Sequence, residues 1–423
     1  MARRVALTGV GIVSPIGIGK RDFWENLKAG RSGAGPIQAF DASGYRSTMA
    51  AEVKVFDVRR YLDAAAVARW TDQADRANQF MLVATQQALA DADVQLDAED
   101  RTRAGVSIGS AAGDLEARLP LLDDLFAAAA RGDEAEAQRC ARHVLTTFLG
   151  QVALSVNGMF GLQGDSTVTA AACASSTDAV GYAFRQIQYG EADLMIAGGA
   201  EAPIQPYIFY SYAMLNVLSQ HNDEPERASR PFDRTRNGFV MGEGAGVILL
   251  EEWEHARRRG AHIYAEVAGY GASADAYHMT APSPTSEQSA RAMRLALHEA
   301  GVQPDEVDYV CAHGTSTQLN DVNETKTIKN VFGEAACRVP VSAIKSMLGH
   351  TQGAAGIMQA VTCALVMEHG FVPPTINYRE PDPECDLDYV PNVGRAIPIR
   401  TILQNTISFF GRNNAVVYRK PVA

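Results

Sequence analysis

The sequence predicts an α/β protein with covered sheets, and three observations lead there. Strand-like and helix-like segments alternate along the whole chain. The strand-like segments are near-continuous apolar runs, the pattern of strands buried on both faces. The chain of 423 residues, 47% hydrophobic and 21% charged, is also large and apolar enough to build a sizeable core.

RVALTGVGIV (4–13) reads as the first strand. Arg3 and Arg4 before an apolar run also suggest a signal peptide, but Gly9, Gly11 and Pro15 break the run and no leucine-rich stretch follows. Residues 72–91 have helical apolar spacing, and AGVSIGS (104–110) is the next buried strand. Residues 118–144, rich in alanine and charge, read as helix, loop, helix and as a surface excursion. A run of small and β-branched residues then leads through a turn at Cys173 into a helix. ADLMIAGGA (192–200) and GAGVILLEE (244–252) are buried strands, and ARRRG (256–260) closes a helix with cations and a glycine.

The order then recurs. YAEVAGYGASAD (264–275) answers the opening strand, and helical spacing returns over 286–300. VDYVCAHGTST (307–317) answers AGVSIGS, and SAIKSMLGH (342–350) answers the cysteine turn. A buried helix over 353–367 and a strand pair within 395–419 complete the second unit. Two similar halves are expected, 1–260 with the cysteine turn and 261–423 with two histidine motifs.

A net charge of −11 disfavours nucleic acid and anionic membranes. No apolar run approaches the roughly 20 residues that span a bilayer. The six cysteines follow no metal-ligand or disulfide spacing, which suits a reducing cytoplasm.

Cys173 stands where a strand turns into a helix, so helix amides and the helix dipole favour its thiolate as a nucleophile for acyl transfer. His313 follows the strand VDYV, and Gly314 and the hydroxyls of Thr315, Ser316 and Thr317 come next. His350 lies near the start of the buried helix, where the positive helix end keeps imidazole neutral and able to donate its Nε2–H. Lys345 precedes it and is placed to pair with Glu324. One cysteine and two histidines admit a zinc site, although a fourth ligand is missing. They also admit a Cys-His hydrolase, which leaves the second histidine without work. Carbon–carbon bond formation on thioesters uses all three: the sulfur carries an acyl group, and the imidazoles polarise a second thioester as its carboxylate leaves as carbon dioxide.

LTGVGIVSPIG, the Cys173 turn, YGEADLMIAGGAE (189–201), SRPFDRTRNGFVMGEGAG (229–246), AYHMTAP (276–282), AHGTST (312–317), KSMLGH (345–350) and VPPTINY (372–378) occur in this order. By them the chain resembles the β-ketoacyl-acyl carrier protein synthases, of the elongating synthase II type or the type II polyketide ketosynthases. The resemblance implies a thiolase-like fold, two βαβαβαββ halves in five αβαβα layers, and a dimer. It implies Cys173 as the acylated nucleophile and His313 and His350 as the pair that decarboxylates a malonyl thioester. Lys345 would hold the charge pattern through Glu324. Thr315 and Thr317 would line the phosphopantetheine path. The amides of Cys173 and Phe410 would form the oxyanion hole, with Phe410 also the gate. No bound cofactor is implied, since phosphopantetheine belongs to the acyl carrier protein. The partners expected are that carrier and a second ketosynthase-like chain, either a copy or a chain-length-factor-like homologue lacking the cysteine. A non-catalytic subunit would lack Cys173, and a thiolase would need a second cysteine as base.

The chain departs from the family pattern in four places. Phe409 and Arg412 in FFGRNN (409–414) stand where a flexible gate has glycine, which is expected to restrict or redirect the gate. Ala112 in GSAAGDLE (109–116) replaces a bulkier aliphatic, which suggests a larger acyl pocket for long or stiff chains such as polyenes. The 118–144 segment is longer than usual and lies where the family dimerises, so an unlike partner is conceivable. The basic docking surface is thin: Ala74, Asp75 and Asn216 occupy positions often cationic, and Arg69, Arg76, Arg139 and Arg142 remain as candidates.

Overall fold

A computed structural model describes residues 2–421 apart from 72, 73 and 114. Among the described residues the main sheet contains β1 (Val5–Ser14), β2 (Ala104–Gly109), β3 (Ser166–Thr169), β4 (Leu194–Glu201), β5 (Gly244–Glu252), β6 (Ala265–Ala274), β7 (Tyr309–Cys311), β8 (Val341–Ser342), β9 (Thr401–Ile407) and β10 (Arg412–Arg419). The helices that matter here are α1 (Arg76–Asp91), α2 (Leu115–Ala130), α3 (Glu134–Thr146), α4 (Gly150–Phe160), α5 (Ser175–Gln188), α6 (Pro206–Met214), α7 (Glu287–Ala300), α8 (Gln318–Phe332) and α9 (Ala355–His369).

The hydrogen-bonded order is β8-β7-β9-β10-β6-β1-β5-β4-β2-β3, with a short hairpin strand, Gly17–Ile18, beside β1. The plan repeats outward from the β6–β1 junction. From β1, the pairings to β5 and then β4 are antiparallel, and those to β2 and then β3 are parallel. From β6, the pairings to β10 and then β9 are antiparallel, and those to β7 and then β8 are parallel. The recurring order read in the sequence is thus a recurring sheet.

Burial of both sheet faces sets the layers. Val180 and Phe184 of α5 and Ile357 and Val361 of α9 share one core with Val5, Ile248, Ile402 and Val416 from both sheet halves. On the outer face of the first half, α1 and α4 pack against β2, β4 and β5. On the outer face of the second, α7 and α8 pack against β7, β9 and β10. The result is the expected helix–sheet–helix–sheet–helix sandwich. Because α9 lies between the two halves of the sheet it is covered on every side, with Ile357 through Val366 all fully buried. Its close contact with α5 depends on Gly356, where a Cβ would fall 2.0 Å from Thr177 Oγ1.

The helix read from 72 begins at Arg76, because the Asp75 carboxylate caps it by accepting the Asn78 N–H at 2.6 Å. Positions 72 and 73 of that reading lie outside the described residues. The 118–144 excursion is α2 and α3 with a turn at Gly132 between them.

Candidate active site

The turn that presents Cys173 is held by its neighbours. Ala172 adopts a left-handed φ of 49°. The Ser175 hydroxyl donates to Ala172 O at 2.6 Å and accepts the Ala171 N–H at 2.9 Å. Cys173 therefore sits just ahead of α5, as the strand-to-helix reading expects. His313 lies two residues beyond β7, and His350 lies between a single helical turn, Lys345–Leu348, and α9. Since α5 and α9 touch in the central layer, the cysteine and histidine loops converge. The Cys173 sulfur and ring nitrogens of His313 and His350 all lie within 4.8 Å of one another, and all three residues are buried.

The hydrogen bonds select the tautomers. The Gln352 backbone N–H donates to His350 Nδ1 at 3.2 Å, so the proton of neutral His350 is on Nε2, 3.1 Å from Cys173 Sγ. Lys345 Nζ donates to His313 O at 2.6 Å and lies 3.3 Å from His313 Nδ1. An ammonium there leaves the His313 proton on Nε2 as well. Burial holds His350 well below the ordinary histidine range, with the Lys345 charge adding to the effect. Burial does the same for His313, reinforced by Lys345 and His350. Two neutral imidazoles thus offer N–H donors beside the sulfur.

The sulfur differs from the expectation of a ready thiolate. Burial pushes the Cys173 thiol up to about 11, against the pull of the Lys345 charge, the Ser408 hydroxyl and the amides of Phe409 and Cys173 itself. Cys173 rests protonated, because the cost of burying the anion exceeds what those groups return. Burial also lowers Lys345 to about 8, opposed by Glu324 and the cysteines.

Lys345 and Glu324 are both buried, 3% and 0% exposed. They form no ion pair among the described residues, contrary to the pairing expected. Glu324 instead accepts the N–H groups of His313 at 2.6 Å and Gly314 at 2.7 Å, and the Asn405 amide at 2.8 Å. The carboxylate braces the His313 loop from beneath, while Lys345 grips its carbonyl from the other side. Their attraction acts through space.

Phe410 is a second correction. Its φ of 64° turns its N–H to Met279 O at 2.7 Å, and its ring is 65% exposed. In this conformation Phe410 supplies neither an oxyanion amide nor a wall of the cavity. Phe409 takes those positions: its amide faces the sulfur and its side chain lines the cavity, stacked 6.5 Å from Tyr212. The cause is the turn itself, which is tied at its far end. Arg412 donates to Asp178 through Nη2 at 2.6 Å and Nε at 3.0 Å, and Tyr270 donates to the same carboxylate. A charge-assisted, partly exposed pair of this kind is worth about 1 kcal/mol. Arg412→Gly is accordingly expected to raise the rate of Cys173 alkylation by iodoacetamide several-fold. An unchanged rate would remove any gating role for the Arg412–Asp178 pair.

Cys173, His313 and His350 open onto a cavity of about 350 Å³. Thr315 and Thr317 line it, their hydroxyls 2.8 Å apart, as do Tyr212, Phe239 and Gln352. Ala112 is not among the lining residues. It packs near Ile208, Phe209 and Phe239, and its N–H donates to the buried Glu201 carboxylate at 3.1 Å. Position 114 of its loop lies outside the described residues. Of the docking candidates, Arg76 is committed to Glu243 at 2.7 Å and Arg139 to Glu136 at 2.8 Å, while Arg69 lies 5.0 Å over Trp70. Sequence reasoning passed over Glu201, Gln352 and Ser408. Glu201 ends an apolar strand and Gln352 interrupts a run of small residues, which are the signals that could have marked them.

A zinc ion suits this donor set poorly. The Lys345 ammonium already faces His313 Nδ1, and no fourth cysteine, histidine or carboxylate among the described residues completes the group. The arrangement suits a nucleophile whose product carbonyl is met by N–H donors.

The chain as a whole has known relatives. Residues 2–256 match the family described as beta-ketoacyl synthase, N-terminal domain, and residues 264–379 match its C-terminal domain. The chain is 41% identical to 3-oxoacyl-[acyl-carrier-protein] synthase 2 of Synechocystis, over 99% of this chain and 98% of that one. It is 43% identical to putative polyketide beta-ketoacyl synthase 1 of Streptomyces cyaneus, over 100% and 99%. Among solved structures, a type II polyketide synthase acyl-carrier protein in complex with its ketosynthase bound to the hexaketide superposes with a TM-score of 0.88, 36% identity and full coverage of both chains. The ishigamide ketosynthase/chain length factor superposes with a TM-score of 0.89 and 37% identity, again over both full chains.

Proposed function

The chain belongs to the β-ketoacyl synthase family, a family of acyl-transferring condensing enzymes, and from that premise we propose that it is the catalytic ketosynthase of a type II polyketide system. The observation that carries the reading is the His350 Nε2–H lying 3.1 Å from Cys173 Sγ, with His313 beside it at the base of one cavity.

The steps follow from these groups. Cys173 sulfur attacks an acyl thioester on an acyl carrier protein; the new S–C bond forms, the old one breaks, and the thiol proton leaves with the carrier's sulfur. A malonyl thioester then enters past Thr315 and Thr317 on the carrier's phosphopantetheine. Its carbonyl oxygen accepts from the Nε2–H groups of His313 and His350, so the electrons left by departing carbon dioxide are held as an enolate. The enolate carbon attacks the Cys173 thioester, whose oxygen is met by the amides of Cys173 and Phe409. The sulfur leaves as a thiolate and takes one proton from solvent, the proton that decarboxylative condensation consumes. The enzyme brings no cofactor of its own.

A dimer is part of the proposal. Phe126, Leu145, Phe148 and Leu154 on α2 to α4 and Met214 on α6 are 50–68% exposed, an apolar surface of the sort that partners cover. The occupant is a second copy or a ketosynthase-like partner without the cysteine. No helix among the described residues is long and apolar enough to cross a membrane, which fits the cytoplasmic location proposed. Housekeeping fatty-acid elongation by a homodimer is the second reading, favoured by the identity to the Synechocystis enzyme.

The test is purification with carrier and candidate partner chains, followed by mass spectrometry. An acyl mass is expected on the peptide containing Cys173, and then a carrier-bound product two carbons longer. No acyl mass from any thioester would end the reading. Repeated condensation to a poly-3-oxo chain, formed only with an unlike partner present, identifies the polyketide system; a single 3-oxo extension of a saturated acyl chain by the protein alone identifies the second reading.

A further inference from the structure

The steps above leave unused a donor that is buried in the cavity wall. Gln352 lies two residues beyond His350, is 2% exposed and lines the cavity. Its backbone φ of 46° is a conformation that residues with a Cβ seldom take. The side-chain Oε1 lies 3.8 Å from Cys173 Sγ, within reach of the thiol proton. The side-chain Nε2 is buried and has no partner. A buried amide nitrogen without an acceptor is uncommon in folded proteins and invites an explanation.

Two observations indicate what would meet it. The thioester oxygen already has the amides of Cys173 and Phe409, which face the sulfur. The backbone beside Gln352 is also fixed, because the Gly353 N–H donates to the buried Glu201 carboxylate at 3.0 Å and so holds the carboxamide in the cavity wall. An acyl group on Cys173 in this cavity lies beside the Gln352 carboxamide, whose Oε1 is 3.8 Å from the sulfur.

We propose that Gln352 is a specificity-determining residue whose side-chain N–H donates to an oxygen on the acyl chain beyond its thioester carbonyl. The preferred Cys173-bound group is then a 3-oxo or 3-hydroxy acyl chain. A hydrocarbon chain, including the polyene suggested by Ala112, leaves the donor buried and empty. Sites built to hydrogen-bond a substrate discriminate strongly against analogues that lack the partner. The inference rests on the acyl-transfer reading above.

The test measures acylation of Cys173 by intact-protein mass spectrometry, using thioesters of equal chain length, one saturated and one 3-oxo. In Gln352→Leu the ratio of 3-oxo to saturated rates is expected to fall about tenfold relative to the unaltered protein. A packing defect slows both substrates together and leaves that ratio alone. Gln352→Glu, which keeps the shape but replaces the donor with an acceptor, is the second variant and should lower the ratio at least as far. A fall of less than threefold in both folded variants overturns the proposal while the acyl-transfer reading stands. Failure of the unaltered protein to accept either thioester overturns both.

Discussion

Cys173→Ala is expected to reduce condensation to background, a loss of about 10⁴–10⁶ in turnover by comparison with other enzymes stripped of their nucleophile. No other side chain in the cavity can take the role. Cys311 and Cys363 are buried at 0% exposure in the core, and Cys140, Cys337 and Cys385 do not line the cavity. Cys173→Ser should recover little, because a hydroxyl is far harder to deprotonate in a site that already raises a thiol. Both variants should still decarboxylate malonyl thioesters, since the two imidazoles remain. The check is to follow carbon dioxide release and product formation side by side. Condensation persisting in Cys173→Ala at more than about one hundredth of the normal rate would remove covalent catalysis from the mechanism.

His313→Ala and His350→Ala are each expected to slow decarboxylation by about 10²–10³, the usual cost of removing one donor from a developing oxyanion. Acyl transfer to Cys173 should suffer less, because that step draws its donors from the amides of Cys173 and Phe409. The pH dependence follows from the same environment. Burial and the Lys345 charge disfavour imidazolium, so both histidines stay neutral as pH falls through 6.5, and the acid limb of decarboxylation should appear well below that value. Lys345, lowered by burial to about 8, loses its charge as pH rises through that value. The alkaline limb should therefore lie near pH 8, where the strongest donor to the His313 loop weakens. A stopped-flow profile of carbon dioxide release measures both limbs. An acid limb at 6.5 or above would mean that the histidines are solvated and that the charged form matters.

Much of this was legible in the chain. Apolar runs at 104–110, 192–200 and 244–252 are strands, since a run with no polar face has to be buried on both sides. The recurrence of strand and turn across the two halves reappears as the recurring order of the sheet. Cys173, His313 and His350 were recognisable from their turns and neighbours, and the structure brings the three together. Phe410 was misassigned because its role depends on φ. A register of aromatic and glycine residues does not reveal that one amide swings to Met279 while the preceding one faces the sulfur. The same limit hid the separate tasks of Lys345 and Glu324. Their place beside helices and the family resemblance suggested an ion pair, whereas Lys345 holds the His313 carbonyl and Glu324 its N–H.

Local order decided the elements, because strand, turn and helix preferences act over a few residues, and it placed one sulfur and two imidazoles at the ends of such elements. Burial decided the chemistry. The protonation of Cys173, the neutrality of His313 and His350, the charge of Lys345 and the unspent amide of Gln352 all depend on how much water and which dipoles remain around each group. Those surroundings arise only when segments more than a hundred residues apart in the chain close over the cavity, so no local stretch of sequence encodes them.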